Sequence, residues 1–173
     1  MSKTEENLQA AFAGESQARN KYTYFGEQAR KEGLHYIAKI FDEAAENERR
    51  HAKLELTLLN GIGTTAENLK ASIAGEHHET TSMYPTFADD AEKEGNREAA
   101  VLFRQIGKVE QHHRDRYQKL LDMVEAGTVY KRDQPIKWKC SVCGYVVVGT
   151  EPPVKCPCCK HPREFYEPAS MDF

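Results

Sequence analysis

Glutamate and histidine residues at regular spacing in this chain could bind a pair of metal ions. Glu48 is followed three residues later by His51, and Glu110 is followed at the same spacing by His113. Residues i and i+3 share one face of a helix, so each Glu/His pair can point in one direction. Hard carboxylate oxygens combined with imidazole suit iron or manganese better than zinc or copper.

Three further glutamates extend this set. Glu15 and Glu76 occupy matching places in the two halves of the helical region, and Glu79 follows where the first half has only Ala18. One Glu from each of two helices, with Glu-x-x-His from two others, is the arrangement of ferritin-like dimetal carboxylate proteins. Buried carboxylates without cations are strongly destabilising. The five glutamates therefore predict two bound metal ions.

The cysteines form a second candidate metal site. Cys140 and Cys143 make one Cys-x-x-Cys pair, Cys156 and Cys159 make another, and all five cysteines lie in this short stretch. An odd, clustered set favours metal over a disulfide framework. We expect Cys158 not to be a ligand. The spacing suits one tetrahedral ion and leaves structural zinc and redox-active iron both open.

Four long helices are predicted to position the carboxylates. Apolar residues recur at helical spacing over 4–31, 35–59, 66–94 and 97–126. Gly33, Gly95 and Gly127 are suitable helix stops, and the short links near the first two predict antiparallel neighbours. We predict an all-α four-helix bundle of the ferritin-like class, with a small β-rich metal domain at the C-terminus.

The two helix pairs resemble each other in sequence. Tyr22 matches Tyr84 at an offset of 62, whereas Glu15 matches Glu76 at an offset of 61. One extra residue must therefore be accommodated shortly before Pro85, which has no backbone N–H. This combination predicts a local bulge or kink in the third helix.

Other aromatic and histidine side chains near these motifs have simpler explanations. Tyr22 and Tyr84 either pack in the core or donate a hydrogen bond to an oxygen species bound at the metal site, and the sequence leaves both open. We expect His77, His78 and His112 to lie on the surface, because they are rotated away from the ligand face.

The composition changes after Gly127. A polar segment, 128–135, precedes a stretch rich in Cys, Pro, Gly and Val with strand-like residues 145–148. We predict a helical domain over 1–130 and a four-cysteine domain over 135–173. A domain of about forty residues needs its metal for stability.

Charge and hydropathy exclude several functions. The net charge is −3, and no cluster of Lys and Arg suggests a nucleic-acid surface or a membrane anchor. The polar, acidic beginning of the chain differs from a signal peptide. We expect a soluble, cytoplasmic protein that binds neither nucleic acid nor membrane.

Taken together, the motifs resemble those of rubrerythrins. The matching segments are Ala-Gly-Glu15-Ser-Gln-Ala-Arg, Glu48-x-x-His51-Ala-Lys, Gly-Glu76-His-His-Glu79, Met-Tyr84-Pro, Glu110-x-x-His113, and the terminal Cys-x-x-Cys-Gly-Tyr with Cys-Pro-x-Cys. The resemblance implies a di-iron bundle followed by a rubredoxin-like domain. It implies these di-iron ligands: Glu15, Glu48, Glu76, Glu79, Glu110 and His113. It also implies that His51 binds one iron in the reduced form and exchanges with Glu79 on oxidation. A single redox-active iron would be held by Cys140, Cys143, Cys156 and Cys159.

The resemblance further implies an activity and partners. Rubrerythrins are non-haem peroxidases that reduce hydrogen peroxide to water in oxidative-stress defence. A homodimer would bring the rubredoxin-like domain of one subunit to the di-iron site of the other, and the sequence leaves open whether domains are swapped. Rubredoxin or an NAD(P)H-dependent reductase would donate electrons. The alternatives are a ferroxidase or iron-handling protein, and a scaffold that only binds partners.

Overall fold

The computed structural model describes residues 2–169. Two compact units divide the chain, Met1–Gly63 and Thr64–Phe173, and each has its own packing. The helix limits agree with the sequence prediction to within one residue at each end. The predicted fold class, mostly helical with a small sheet at the C-terminus, is confirmed. None of the described helices is long and apolar enough to cross a membrane.

The first unit is a hairpin of two antiparallel helices, α1 (Lys3–Lys31) and α2 (His35–Leu58). Helix α1 begins with a capping box, in which Ser2 and Glu5 each accept a hydrogen bond from the backbone N–H of the other. Gly33, whose φ of +78° lies in the left-handed region, follows the end of this helix and stops it. Small buried residues allow the two helices to approach closely: Gly26, Ala29, Ala38, Ala45 and Ala52.

The second unit begins with three helical segments, α3 (Thr65–His78), α4 (Tyr84–Lys93) and α5 (Arg97–Glu125). Helix α5 packs along both α3 and α4. The turn at Gly95 repeats the one at Gly33, with a φ of +76°. The two hairpins therefore share one design, as the internal repeat predicts.

A π-helical turn, Glu79–Met83, joins α3 to α4 and confirms the predicted bulge. The Tyr84 N–H donates to the Glu79 carbonyl five residues earlier, which is the hydrogen bond that defines a π-helix. Pro85, the next residue, has no N–H to donate. The Thr80 and Thr81 hydroxyls donate to carbonyls four residues back, at 2.7 Å in each case. The inserted residue is thus absorbed over one turn.

The four-cysteine domain contains an antiparallel sheet in the order β2-β1-β3. Its strands are β1 (Ile136–Cys140), β2 (Val146–Gly149) and β3 (Tyr166–Pro168), with a 3₁₀ turn at Arg163–Phe165. Its buried core is small and includes two of the cysteines: Trp138, Cys140, Cys156 and Tyr166.

The end of the predicted linker belongs to this small domain. The Tyr130 hydroxyl donates to the Glu164 carbonyl at 3.3 Å. The Arg132 N–H donates to the Thr150 carbonyl at 2.8 Å, and its guanidinium lies 5.2 Å from the Trp138 ring centre. These contacts hold part of segment 128–135 against the domain that follows it.

Candidate metal centres

In the first helical hairpin, three of the predicted ligands converge. Glu15 from α1 meets Glu48 and His51 from α2, and one ligand atom of each lies within 4.8 Å of the others. The His51 Nδ1 atom is 2.7 Å from the Glu48 Oε2 atom. The i, i+3 spacing therefore places this pair on one helix face, as predicted.

The second unit contains the equivalent group. Glu76 from α3 meets Glu110 and His113 from α5, again with ligand atoms within 4.8 Å of one another. The His113 Nδ1 atom is 2.7 Å from the Glu110 Oε2 atom and 3.6 Å from the Glu76 Oε1 atom. The Glu76 and Glu110 side chains are only 17% and 15% exposed, so these carboxylates are not ordinary surface groups.

Each group has the spacing and chemistry of metal ligands. Adjacent ligands on an octahedral metal with bonds of about 2.1 Å lie about 3 Å apart. The distances of 2.7 and 3.6 Å bracket this value. Two carboxylates and one imidazole in each group suit iron or manganese. The donor sets therefore fit the predicted cofactor.

The electrostatics of both groups favour a bound cation. Burial, together with the hydrogen bond and negative charge of Glu48, raises the pKa of Glu15. Burial and then the charge of Glu110 raise the pKa of Glu76, although His113 opposes this. Carboxylates that repel each other in this way hold protons until a cation replaces them.

The raised pKa values of Glu15 and Glu76 predict a pH-dependent stability in the metal-free protein. A carboxyl whose pKa is raised on folding stabilises the fold at low pH, and this contribution is lost as the pH rises through the raised pKa. We expect Glu76→Gln to raise the melting temperature of the metal-free protein at pH 7 and to have little effect near pH 4. Thermal unfolding in the presence of a chelator measures this difference.

Glu92 offers the matched control. The Arg104 guanidinium donates a hydrogen bond that lowers the pKa of Glu92, so its ionised form stabilises the fold at neutral pH. Glu92→Gln should therefore lower the melting temperature at pH 7. A destabilising effect of Glu76→Gln at pH 7 would contradict the raised pKa that burial and the charge of Glu110 give Glu76.

Glu79 lies close to the second group without being part of it. It is the first residue of the π-helical turn, and its charge contributes to raising the pKa values of Glu76 and Tyr84. Among residues 2–169, it is not one of those whose ligand atoms converge within 4.8 Å. Its predicted role as a ligand stays a prediction.

Each of the two predicted tyrosines belongs to an aromatic cluster. Tyr84 packs with Phe87 and Phe103, with ring centres 6.5 and 6.2 Å away. Tyr22 has the equivalent neighbours 62 residues earlier in the chain, so the packing explanation holds for both. Burial, followed by the charges of Glu79, Glu110 and Glu76, raises the pKa of Tyr84. The negative charges of the carboxylate group therefore also act on the Tyr84 phenol.

One carboxylate near the first group was not predicted. The Glu55 Oε2 atom is buried without a hydrogen-bond partner among the described residues, and its charge raises the pKa of Glu15. Glu55 lies seven residues after Glu48, which places it on the same helix face. This spacing could have identified Glu55 from the sequence. His77, His78 and His112 are exposed, as expected.

The four predicted thiol ligands converge in the small domain. The Sγ atoms of Cys140 and Cys159 are 3.7 Å apart, as are those of Cys143 and Cys156. A tetrahedral ion with metal–sulfur bonds of about 2.3 Å requires sulfur atoms about 3.8 Å apart. The sulfur positions therefore fit one tetrahedral metal. Cys158 is exposed and is not in this group.

The thiols differ strongly in acidity. Burial would raise the pKa of Cys156, but the nearby Tyr166 phenol and two backbone N–H groups lower it to about 6. The Tyr145 N–H favours the Cys143 thiolate, yet burial and neighbouring thiols raise the pKa of Cys143 to about 12. Cys156 should therefore lose its proton more easily than Cys143 as metal binds.

The two Cys-x-x-Cys turns have the same backbone design. The Gly144 N–H donates to the Cys140 carbonyl at 2.8 Å, and the Lys160 N–H donates to the Cys156 carbonyl at 3.0 Å. Both donors are left-handed, with φ values of +76° and +64°. Glycine adopts this conformation freely, whereas lysine does not.

This difference predicts opposite effects of two substitutions. Gly144→Ala should destabilise the small domain by about 1–2 kcal/mol, because a Cβ is unfavourable in a left-handed residue. Lys160→Gly should leave the stability of the domain unchanged or raise it slightly. Loss of the metal–thiolate absorption on heating measures both changes. Equal destabilisation by both substitutions would contradict the backbone explanation.

These features define a class of protein: a helical carboxylate metalloprotein that carries a tetrahedral four-cysteine domain. Comparison with known proteins identifies the family. Residues 6–121 match the Rubrerythrin family, and residues 138–167 match the rubredoxin-like domain of rubrerythrins. The chain belongs to the rubrerythrin family. The resemblance noted in the sequence is thereby confirmed, and the residues of the family's di-iron and four-cysteine sites are present.

Similar proteins cover almost the whole chain. The chain is 49% identical to a putative rubrerythrin from Methanocaldococcus jannaschii, over 96% of this chain and 93% of that protein. It is 48% identical to the rubrerythrin of Porphyromonas gingivalis, over 99% and 92% of the respective chains. A solved structure of partially reduced nigerythrin is 33% identical, covers 97% of this chain and 87% of its own, and has a TM-score of 0.38.

Proposed function

We propose that this protein is a peroxidase that reduces hydrogen peroxide to water, using a di-iron site and a four-cysteine iron centre. The observation that carries the proposal is the combination of two equivalent carboxylate–histidine groups with a tetrahedral set of thiols in one chain. The carboxylate–histidine groups suit a pair of redox-active ions, and the four thiols suit a one-electron carrier.

We assign seven carboxylate and histidine residues as di-iron ligands. They are Glu15, Glu48, His51, Glu76, Glu79, Glu110 and His113. Five carboxylates bring five negative charges, against four positive charges from two ferrous ions or six from two ferric ions. Both states are near neutrality, which permits a redox cycle in a buried site. Exchange of His51 for Glu79 on oxidation would improve the charge balance further.

The protein's own residues supply the positioning of the substrate. When bound, the two ferrous ions would supply the two electrons that cleave the O–O bond of peroxide. Two protons are also needed to form two molecules of water. We assign the Tyr22 and Tyr84 phenols to orienting peroxide by hydrogen bonds.

The four-cysteine domain serves as the internal electron donor. An iron held by the four cysteines would carry one electron at a time, so two transfers would supply the two electrons that each peroxide consumes. We propose residues 1–130 as the catalytic domain and 135–173 as the electron-delivery domain. The chain would act as a homodimer in the cytoplasm, where thiols stay reduced, and would receive electrons from rubredoxin or an NAD(P)H-dependent reductase.

A ferroxidase or iron-handling protein would use the same carboxylates. It would have no need for a second metal site with thiolate ligands whose sulfur atoms lie 3.7 Å apart. A scaffold that only binds partners would have no need for the carboxylates. The pairing of both sites therefore favours the peroxidase.

Rapid mixing of the anaerobically reduced protein with oxidants tests this function. We expect the red ferric–thiolate absorption to bleach with reductant and to return faster with hydrogen peroxide than with air. Faster reoxidation by air would favour the ferroxidase. A colourless protein that contains only zinc would contradict both redox functions.

A further inference from the structure

The Tyr166 hydroxyl is buried and has no hydrogen-bond partner among the described residues. Tyr166 is only 4% exposed, and it belongs to the core of the four-cysteine domain. The oxygen atom itself is buried, and no group in residues 2–169 bonds to it. Buried hydroxyl groups in proteins are nearly always bonded, because an isolated one is destabilising. This hydroxyl therefore needs an acceptor that becomes available in the working protein.

Cysteine sulfur is the group around Tyr166 that can accept a hydrogen bond from its hydroxyl. Strand β3 places Tyr166 directly opposite Cys140 in the sheet, and Cys156 belongs to the same buried cluster. The Trp138 side chain in this cluster carries only an N–H donor, which already bonds the Gly149 carbonyl at 3.0 Å. A thiol is a weak acceptor, whereas a metal-bound thiolate is a much better one.

The Cys156 sulfur lies close to this hydroxyl. Burial and then the adjacent Cys156 sulfur raise the pKa of the Tyr166 phenol far above its usual value. A neutral phenol beside that sulfur can donate to it once the sulfur is a metal-bound thiolate.

We propose that the Tyr166 hydroxyl donates a hydrogen bond to the Cys156 sulfur in the metal-loaded domain and thereby raises the reduction potential of its iron. This inference rests on the proposed function, in which that iron carries electrons. Reduction adds one negative charge to the metal and its four thiolates. An O–H donor at one sulfur stabilises the more negative, reduced state and so favours acceptance of the electron.

The test compares Tyr166→Phe with Tyr145→Phe in the full-length, iron-loaded protein. Tyr145 lies in the same domain but is 40% exposed, and its backbone N–H remains available to Cys143 in the variant. We expect Tyr166→Phe to make reduction of the four-cysteine iron up to about tenfold less favourable, equivalent to a fall of about 59 mV for a one-electron couple. The Tyr145 variant should keep the original potential. Redox titration of the ferric–thiolate absorption measures both.

Thermal unfolding of the zinc-loaded proteins gives a readout independent of electron transfer. Tyr166→Phe should lower the melting temperature of the domain if the hydroxyl is bonded, and raise it if the hydroxyl is an isolated buried donor. An unchanged potential, or a raised melting temperature, would overturn this inference alone. A four-cysteine iron without any reversible one-electron couple in the unaltered protein would overturn the proposed function as well.

Discussion

Glu110→Gln is expected to remove the metal pair from the carboxylate site while the four-cysteine iron stays in place. The substitution keeps the shape of a side chain that is only 15% exposed and removes its charge. Glu110 lies 2.7 Å from His113 and raises the pKa of Glu76, so it is central to the second ligand group. Loss even of groups that only support metal ligands costs 10–100-fold in affinity or activity. We expect the rate of peroxide reduction to fall at least about 100-fold.

Iron content and peroxide consumption measure this effect. Glu98→Gln is the matched control, because Glu98 is an exposed glutamate on the same helix. The control should keep both the iron content and the rate. The red ferric–thiolate absorption should survive in both variants, which shows that the four-cysteine domain is intact. Normal iron content in the Glu110 variant would argue against the assigned ligand set.

Cys143→Ser is expected to eliminate electron delivery without preventing the reaction of peroxide with the carboxylate site. Cys143 is exposed, so its replacement does not damage a packed core directly. It does remove one of four converging thiols, 3.7 Å from Cys156. The small core around Trp138 depends on the metal for its stability. We expect the domain to lose its iron and turnover with an external donor to fall at least about 100-fold.

Cys158→Ser provides a close control, since Cys158 is also exposed and lies beside a ligand. It should retain the red colour and full turnover. Chemical reduction of the Cys143 variant followed by peroxide should still oxidise the carboxylate site in a single turnover. If Cys158→Ser lost its colour instead, the assignment of the four ligands would be wrong.

Local patterns in the sequence were sufficient to predict the elements and the ligand groups. Helix limits follow from apolar periodicity and from glycine stops such as Gly33 and Gly95. The i, i+3 spacing fixes each Glu/His pair on one face, and the thiol pairs follow from Cys-x-x-Cys spacing. Even the π-helical turn was detectable, because the internal repeat shows one extra residue near a proline.

Contacts between residues that are far apart in the sequence could not be predicted from local patterns. Nothing in the local pattern around Tyr166 shows that its hydroxyl is buried among cysteines, because that position arises from the pairing of β3 with β1 and from the distant Cys156. Glu55 was overlooked for a different reason. Its spacing from Glu48 was visible, but glutamates on helices are usually solvated, and only the structure shows that its Oε2 atom is buried.

The π-helical turn has a consequence for how a duplicated scaffold can diversify. Inserting one residue into an ordinary α-helix rotates everything beyond it by about 100°. Here the wide turn takes up the additional residue, so Tyr84 keeps aromatic neighbours equivalent to those of Tyr22. Glu76 likewise keeps the place equivalent to that of Glu15. The symmetry between the two halves is thus broken at Glu79, and the second half gains an acidic group where the first half has Ala18.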